Sequence, residues 1–271
     1  MTKIAIKLIW KVLLFTSIGY ALLLLLIFIF QRKLLYLPSQ FNVSQERAME
    51  DGVAHWPSFE NDRGFISNQE IADAKGTIIV FHGNAGTAYY RNYYIKALSR
   101  WGYRVILAEY PGYGGREGKP SEEILVKDAV ETIQIAHQKY GEPLFLWGES
   151  LGSGVVSSTV SQTDVPLKGI VLFLPWDSLP NVAQETYWFF PVRWIVLDKY
   201  NNVDNLQDFS GNIAVILAGQ DKVTPTKFGK SLYDSIQTNK KLWLFENAGH
   251  NTIPLDPDLV WWKEVTDFIA E

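Results

Sequence analysis

Leu144-Phe145-Leu146-Trp147-Gly148-Glu149-Ser150-Leu151-Gly152-Ser153-Gly154 is the stretch on which the fold turns. An apolar run of strand length ends in Gly-x-Ser-x-Gly and passes without a linker into a helical stretch, Leu151–Ser161. Gly-x-Ser-x-Gly alone is common by chance, and its context gives it meaning. A serine between a strand and a helix sits on a strained turn that lifts its hydroxyl above the end of the sheet. Small residues must flank it, because neighbouring Cβ atoms would collide in so sharp a bend. The helix that starts at Leu151 also begins with backbone N–H groups that have no intrahelical partner, and these can face an oxyanion formed at the serine.

Outward from this turn, apolar runs alternate with amphipathic stretches. Thr77–Phe81, Arg104–Glu109, Pro143–Trp147, Lys168–Leu174, Ile213–Ala218 and Leu242–Phe245 read as strands. Helical patterns occupy Thr87–Arg100, Ser121–Tyr140 and Asp258–Ala270. Buried runs alternating with helices predict a mostly parallel sheet covered on both faces, an α/β fold. Pro175–Asn205 breaks the rhythm with Trp176, Tyr187, Trp188, Phe189, Phe190, Trp194 and Tyr200. An insertion at that point lies over the carboxyl ends of the strands, where open α/β sheets bind ligands. It is expected to form a lid over about 175–205, with Trp176, Tyr187, Trp188 and Phe189 as candidate substrate-binding residues.

A serine needs a base to take its proton. Of the four histidines, His137 falls inside a helix and His55 lies in the less regular early region. His82 and His250 each follow a strand. The chain order nucleophile, acid, histidine that strand–turn–helix hydrolases follow selects His250. The acid then lies between Ser150 and His250, just beyond a strand. Asp221 in Gly219-Gln220-Asp221 satisfies this, and Asp177 beyond Lys168–Leu174 is its strongest competitor. Asp221 would hold the imidazole tautomer and stabilise the imidazolium. The loop His82-Gly83-Asn84-Ala85-Gly86 follows the strand where a second oxyanion donor is expected, so the Asn84 and Leu151 N–H groups form the candidate oxyanion hole.

Composition excludes several other chemistries. The 271 residues are 47% hydrophobic and contain no cysteine, which rules out disulfides, thiolate nucleophiles and cysteine-bound metals. Beyond residue 36 there are 20 basic residues against 29 acidic, a balance that argues against nucleic acid as a partner. Gly112-Tyr113-Gly114-Gly115-Arg116-Glu117-Gly118 fails the dinucleotide pattern at Glu117, and neither a phosphate-loop lysine motif nor a metal-ligating histidine pair is present. No cofactor and no metal are expected.

Val12–Phe30 is a 19-residue run without charge, about 28 Å as a helix and close to the thickness of a bilayer core. Phe30-Gln31-Arg32-Lys33 follows it where a cleaved signal would carry small residues. The expected organisation is a membrane anchor over residues 1–36, with its transmembrane helix at about 12–30, and a catalytic domain over 37–271. Lys3, Lys7 and Lys11 precede the span and Arg32 and Lys33 follow it, which favours a cytoplasmic N-terminus and an extracytoplasmic body.

With these motifs assembled, the chain resembles the α/β-hydrolase superfamily, and more narrowly its membrane-anchored Bem46-like serine hydrolases, whose relatives include depalmitoylating enzymes. The resemblance runs through Phe30–Tyr36, Phe81–Gly86, Tyr110–Gly114, Gly148–Gly152, Gly219–Asp221 and Gly249-His250. It implies Ser150 as nucleophile, Asp221 as acid and His250 as base, with the oxyanion held at Asn84 and Leu151. It also implies an eight-stranded, mostly parallel sheet with early strands near Glu50–Trp56 and Gly64–Asn68. The function expected is hydrolysis of an acyl ester or thioester through an acyl-enzyme. Amide hydrolysis, acyl transfer or a non-catalytic binding role on the same fold are the alternatives.

Overall fold

The computed structural model describes residues 3–271. A long helix, α1 (Lys3–Leu35), precedes the body, and none of its residues is buried. Eight strands form the central sheet. In chain order they are β1 (Val53–His55), β2 (Gly64–Ser67), β3 (Thr77–Phe81), β4 (Arg104–Ala108), β5 (Leu144–Glu149), β6 (Gly169–Phe173), β7 (Asn212–Ala218) and β8 (Lys240–Phe245). Their order across the sheet is β8-β7-β6-β5-β3-β4-β2-β1. Only the pairings of β1 with β2 and of β2 with β4 are antiparallel; the rest are parallel. The two early strands fall where the resemblance put them.

The strand sequences explain why both faces are covered. In β3 and β5 every apolar side chain is buried, and alternate residues enter opposite cores. Ile79, Phe81, Leu144 and Leu146 pack against α3 (Glu122–Tyr140) and α4 (Leu151–Val160). Ile78, Val80, Phe145 and Trp147 pack against α2 (Asn92–Ser99) and α8 (Trp261–Ala270). A strand with a period of two can feed two cores only if both sides are closed by helices. Ser121 caps α3 by accepting a hydrogen bond from the Ile124 N–H, and Gly141, at φ 70°, ends it.

The segment 175–205 carries no strand of the main sheet. It forms α5 (Leu179–Thr186), α6 (Val192–Ile195) and a single turn at Asn202–Asn205 before the chain returns to β7. The last strand crossover uses α7 (Thr226–Ser235). Sheet order decides what lies beside the elbow. Phe81 is paired with Gly148 and Gly148 with Leu172, so the carboxyl ends of β3, β5 and β6 lie side by side.

Candidate active site

The turn after β5 is as strained as its sequence predicts. Ser150 has φ 51° and ψ −111°, a conformation that L-residues avoid unless the surroundings impose it. The surroundings here are close. A Cβ on Gly152 would lie 1.9 Å from the Phe81 carbonyl oxygen, and one on Gly148 would lie 2.4 Å from that of Gly152. Gly152 is therefore required by the approach of α4 to the end of β3, and Gly148 by the sharp return of α4 over the end of β5. The Ser150 N–H donates to the Phe173 carbonyl at 2.7 Å, and the Ser153 hydroxyl reaches the Gly148 and Phe173 carbonyls. The elbow is thus tied to the end of β6.

Three sequence-distant side chains meet above it. His250 Nε2 lies 3.1 Å from Ser150 Oγ, and His250 Nδ1 lies 2.7 Å from Asp221 Oδ2. Asp221 is buried and well supplied with donors. Its Oδ1 accepts from the Val223 and Thr224 N–H groups at 2.8 and 2.9 Å, and its Oδ2 accepts from the Thr224 hydroxyl at 3.0 Å. Burial by itself would raise its pKa. The hydrogen bond and charge of His250, with the two backbone donors, outweigh that and hold the carboxyl below its ordinary value. The competitor Asp177 instead accepts from the Ser178 N–H and the Asn181 amide at the start of the lid and does not touch His250. His82 also drops out of competition, because its ring lies between the Gly83 carbonyl and the Glu109 carboxylate at 2.7 and 2.9 Å. Glu109 in turn accepts from the Ala88 and Tyr110 N–H groups. This buried pair fixes the loop that follows β3. His55 accompanies Asp62 at 3.0 Å, and His137 accompanies Glu142 at 3.5 Å on the α3 surface.

Of the candidate oxyanion donors, Leu151 follows Ser150 directly and Asn84 lies in the loop after β3, the strand paired with β5. Among the described residues neither the Asn84 nor the Leu151 N–H meets a protein acceptor. The rest of Asn84 is firmly held. Its carbonyl accepts from the Tyr113 hydroxyl and the Leu37 N–H, both at 2.9 Å, and its amide donates to the Leu35 carbonyl at 2.9 Å. Leu37-Pro38 pairs with Ala85-Gly86 as a short parallel ladder, so the segment just after α1 is joined to the loop that carries Asn84. Position-by-position sequence reading missed Tyr113, Thr224 and this ladder as supports. The motifs Tyr110–Gly114 and Phe30–Tyr36 marked the places without revealing the contacts.

The four aromatic candidates separate. Trp176 is 3% exposed and belongs to the core beneath the lid with Tyr200 and Leu206. It stands immediately past β6, packed in the core, and lines neither the cavity beside α1 nor the cleft beside His250. Tyr187 lines a cavity of about 270 Å³ between α1 and the lid. Trp188 and Phe189 stack on each other, each 67% exposed, and do not line that cavity. Asn84 and Val223 do, which connects the cavity to the oxyanion loop and to the turn that carries Asp221. On the other side of His250 is a cleft of about 180 Å³ bordered by Tyr90, Arg91, Tyr93 and Glu149. Burial would raise the Glu149 carboxyl, but the Arg91 guanidinium at 2.9 Å and the Tyr93 hydroxyl more than offset it and keep the group below its ordinary value. A larger polar concavity of about 430 Å³, bordered by Asn42, His55 and Arg116, shares no residue with the Ser150 site. Among the described residues no cluster of His, Asp and Glu is arranged to hold a metal.

Known proteins agree with this architecture. Residues 72–201 match the family described as Serine aminopeptidase, S33. The lysophosphatidylserine lipase ABHD12 of Danio rerio is 32% identical over 227 residues, 74% of this chain and 59% of that protein. The chain therefore spans about 59% of the length of this relative. An uncharacterized protein of Mycobacterium tuberculosis, Rv2307c, is 28% identical over 246 residues, 88% of this chain and 85% of the relative. Among solved structures, the Pyrococcus furiosus esterase Pf2001 superposes with a TM-score of 0.63 at 16% identity, covering 86% of this chain and 96% of the esterase. The chain belongs to the α/β-hydrolase superfamily.

Proposed function

We propose that the protein is a membrane-anchored serine hydrolase that cleaves an acyl ester or thioester. The observation that carries this reading is the continuous chain of contacts from Ser150 Oγ through His250 to Asp221, at 3.1 and 2.7 Å. Ser150 Oγ attacks the acyl carbonyl as His250 Nε2 takes its proton, and the new oxyanion is held by the Asn84 and Leu151 N–H groups. Collapse of this intermediate breaks the bond to the alcohol or thiol, which leaves with the proton returned by the imidazolium. Water, activated by the same imidazole, then adds to the acyl-enzyme and releases the carboxylic acid. Asp221 keeps Nδ1 protonated so that Nε2 faces the serine as an acceptor.

Two further facts support the anchor and the ester. Helix α1 is long and apolar enough to cross a membrane, and the positive residues on its two sides favour a cytoplasmic N-terminus with the body outside. The relative from Danio rerio is named a lipase, which favours an acyl ester of a lipid over an amide. A fluorophosphonate probe tests the reading directly. Wild type should be labelled and Ser150→Ala should not; a folded wild type that resists the probe would overturn it.

A further inference from the structure

Helix α1 touches the lid at a series of points that climb along it. Arg32 binds both oxygens of Asp198 at 3.0 and 3.1 Å, and Tyr36 donates to the same carboxylate at 3.0 Å. Gln31 donates to the Ile195 carbonyl at 3.2 Å and accepts from the Leu197 N–H at 2.7 Å. Higher up, the Tyr20 hydroxyl donates to the Phe189 carbonyl at 3.1 Å, and its ring stacks on Phe190. Tyr20 and Gln31 are eleven residues apart, or about 16 Å along a helix. The lid therefore rises beside α1 from its charged end to the middle of the uncharged run Val12–Phe30. A bilayer core is ~30 Å thick, so the height of Tyr20 corresponds to hydrocarbon rather than to water.

The tip of the lid has the chemistry for that depth. Tyr187–Val192 carries no charge, and Trp188, Phe189 and the nearby Trp194 are among the most exposed large side chains of the body. Two of its carbonyls accept from side chains, Phe189 from Tyr20 and Phe190 from the Gln184 amide at 2.9 Å, and those of Tyr187, Pro191 and Val192 accept from backbone N–H groups. Backbone at membrane depth needs such internal partners. Behind the tip lies the cavity of about 270 Å³. Ile27 and Leu34 of α1 and Val182 and Val192 of the lid line it, together with Asn84 and with Val223, two residues beyond Asp221. At roughly 30 Å³ per water-sized group, that volume is about nine groups, the size of one medium-length acyl chain.

Resting on the hydrolase reading above, we propose that the lid tip Tyr187–Phe190 is inserted into one leaflet beside α1, and that the cleft between them is a lateral port for a single acyl chain. The chain of a bilayer lipid slides from the leaflet into the cavity, and its carbonyl arrives at Ser150 without crossing water. The membrane helix is then a wall of the substrate site as well as a tether.

The absence of cysteine makes depth measurable with single introduced cysteines. Phe189→Cys, Leu23→Cys and Gln237→Cys, each carrying an environment-sensitive fluorophore, would be compared in phosphatidylcholine vesicles. The label at 189 should behave like the one at 23, quenched by bromolipid and shielded from iodide, whereas 237 should be open to iodide. Iodide quenching at 189 equal to that at 237 overturns the insertion. In a second arm, Val182→Trp narrows the cavity and should lower the ratio of kcat/KM for a palmitoyl over an acetyl ester at least tenfold; equal losses on both esters overturn the port. A wild type that hydrolyses neither ester while 189 stays shielded would sink the hydrolase reading and leave lid insertion standing.

Discussion

Replacing Asp221 with Asn gives the sharpest test of the proposed triad, because the structure forces the orientation of the new amide. Oδ1 accepts two backbone N–H groups, from Val223 and Thr224. An NH₂ group there would face two donors, so the amide oxygen must take that side. The NH₂ then points at His250 Nδ1, where Oδ2 stood at 2.7 Å. A donor facing Nδ1 selects the tautomer with its proton on Nε2, and that proton points at Ser150 Oγ. The imidazole becomes a donor to the serine when an acceptor is needed. An acid-to-amide change at this position of a triad lowers kcat on the order of 10⁴-fold, about 5.5 kcal/mol of lost transition-state stabilisation. The assay is steady-state hydrolysis of a p-nitrophenyl acyl ester in detergent, with circular dichroism to verify folding. Asp177→Asn is the control and should change kcat by less than threefold, because Asp177 serves the start of the lid. A folded Asp221→Asn enzyme with a tenth or more of the wild-type rate would refute the assignment of the acid.

The same carboxylate makes stability depend on pH. Its folded pKa is depressed below 3.8, so its contribution is complete above that value and is lost as pH falls through the folded pKa. The melting temperature of wild type should exceed that of Asp221→Asn by a steady margin from pH 7 to about 4 and converge with it below; a margin that widens toward acid would contradict the linkage. Gly152→Ala places a Cβ 1.9 Å from the Phe81 carbonyl oxygen, so it should leave the chain insoluble or lower its melting temperature by well over 5 °C, measured by scanning fluorimetry. Trp176→Ala should cost about 3–5 kcal/mol in a denaturant titration, the penalty for emptying a buried aromatic site, because Trp176 is core. A loss under 1 kcal/mol would return it to the list of surface ligands. His82→Ala should reduce kcat far more than it raises KM, since the His82–Glu109 pair holds the proposed oxyanion loop without contacting Ser150; an effect confined to KM would contradict that role.

Local sequence determined much of this protein because the relevant physics is local. The alternation of apolar runs with amphipathic stretches marks the strands and helices of a two-sided α/β sheet. Gly148, Ser150 and Gly152 announce a turn that few other residues could form. Val12–Phe30 needs no partner to be recognised as a span-length apolar helix, because its length and lack of charge are properties of the segment itself. The competition between Asp177 and Asp221 was of a different kind. Both follow strands, and only three-dimensional proximity shows that Asp221 Oδ2 reaches His250 whereas Asp177 serves the lid. Trp176 and Trp188 are the same residue type in one aromatic stretch, yet one lies beneath the lid and the other on its surface, since burial depends on what packs around a segment and not on its composition. The docking of α1 against the lid at Tyr20, Gln31 and Arg32, and its ladder with the oxyanion loop at Leu37, join residues up to 169 positions apart. No periodicity encodes such contacts. The loop after β3 and the lid after β6 are neighbours because those strands end on either side of β5, and α1 is held where it meets both.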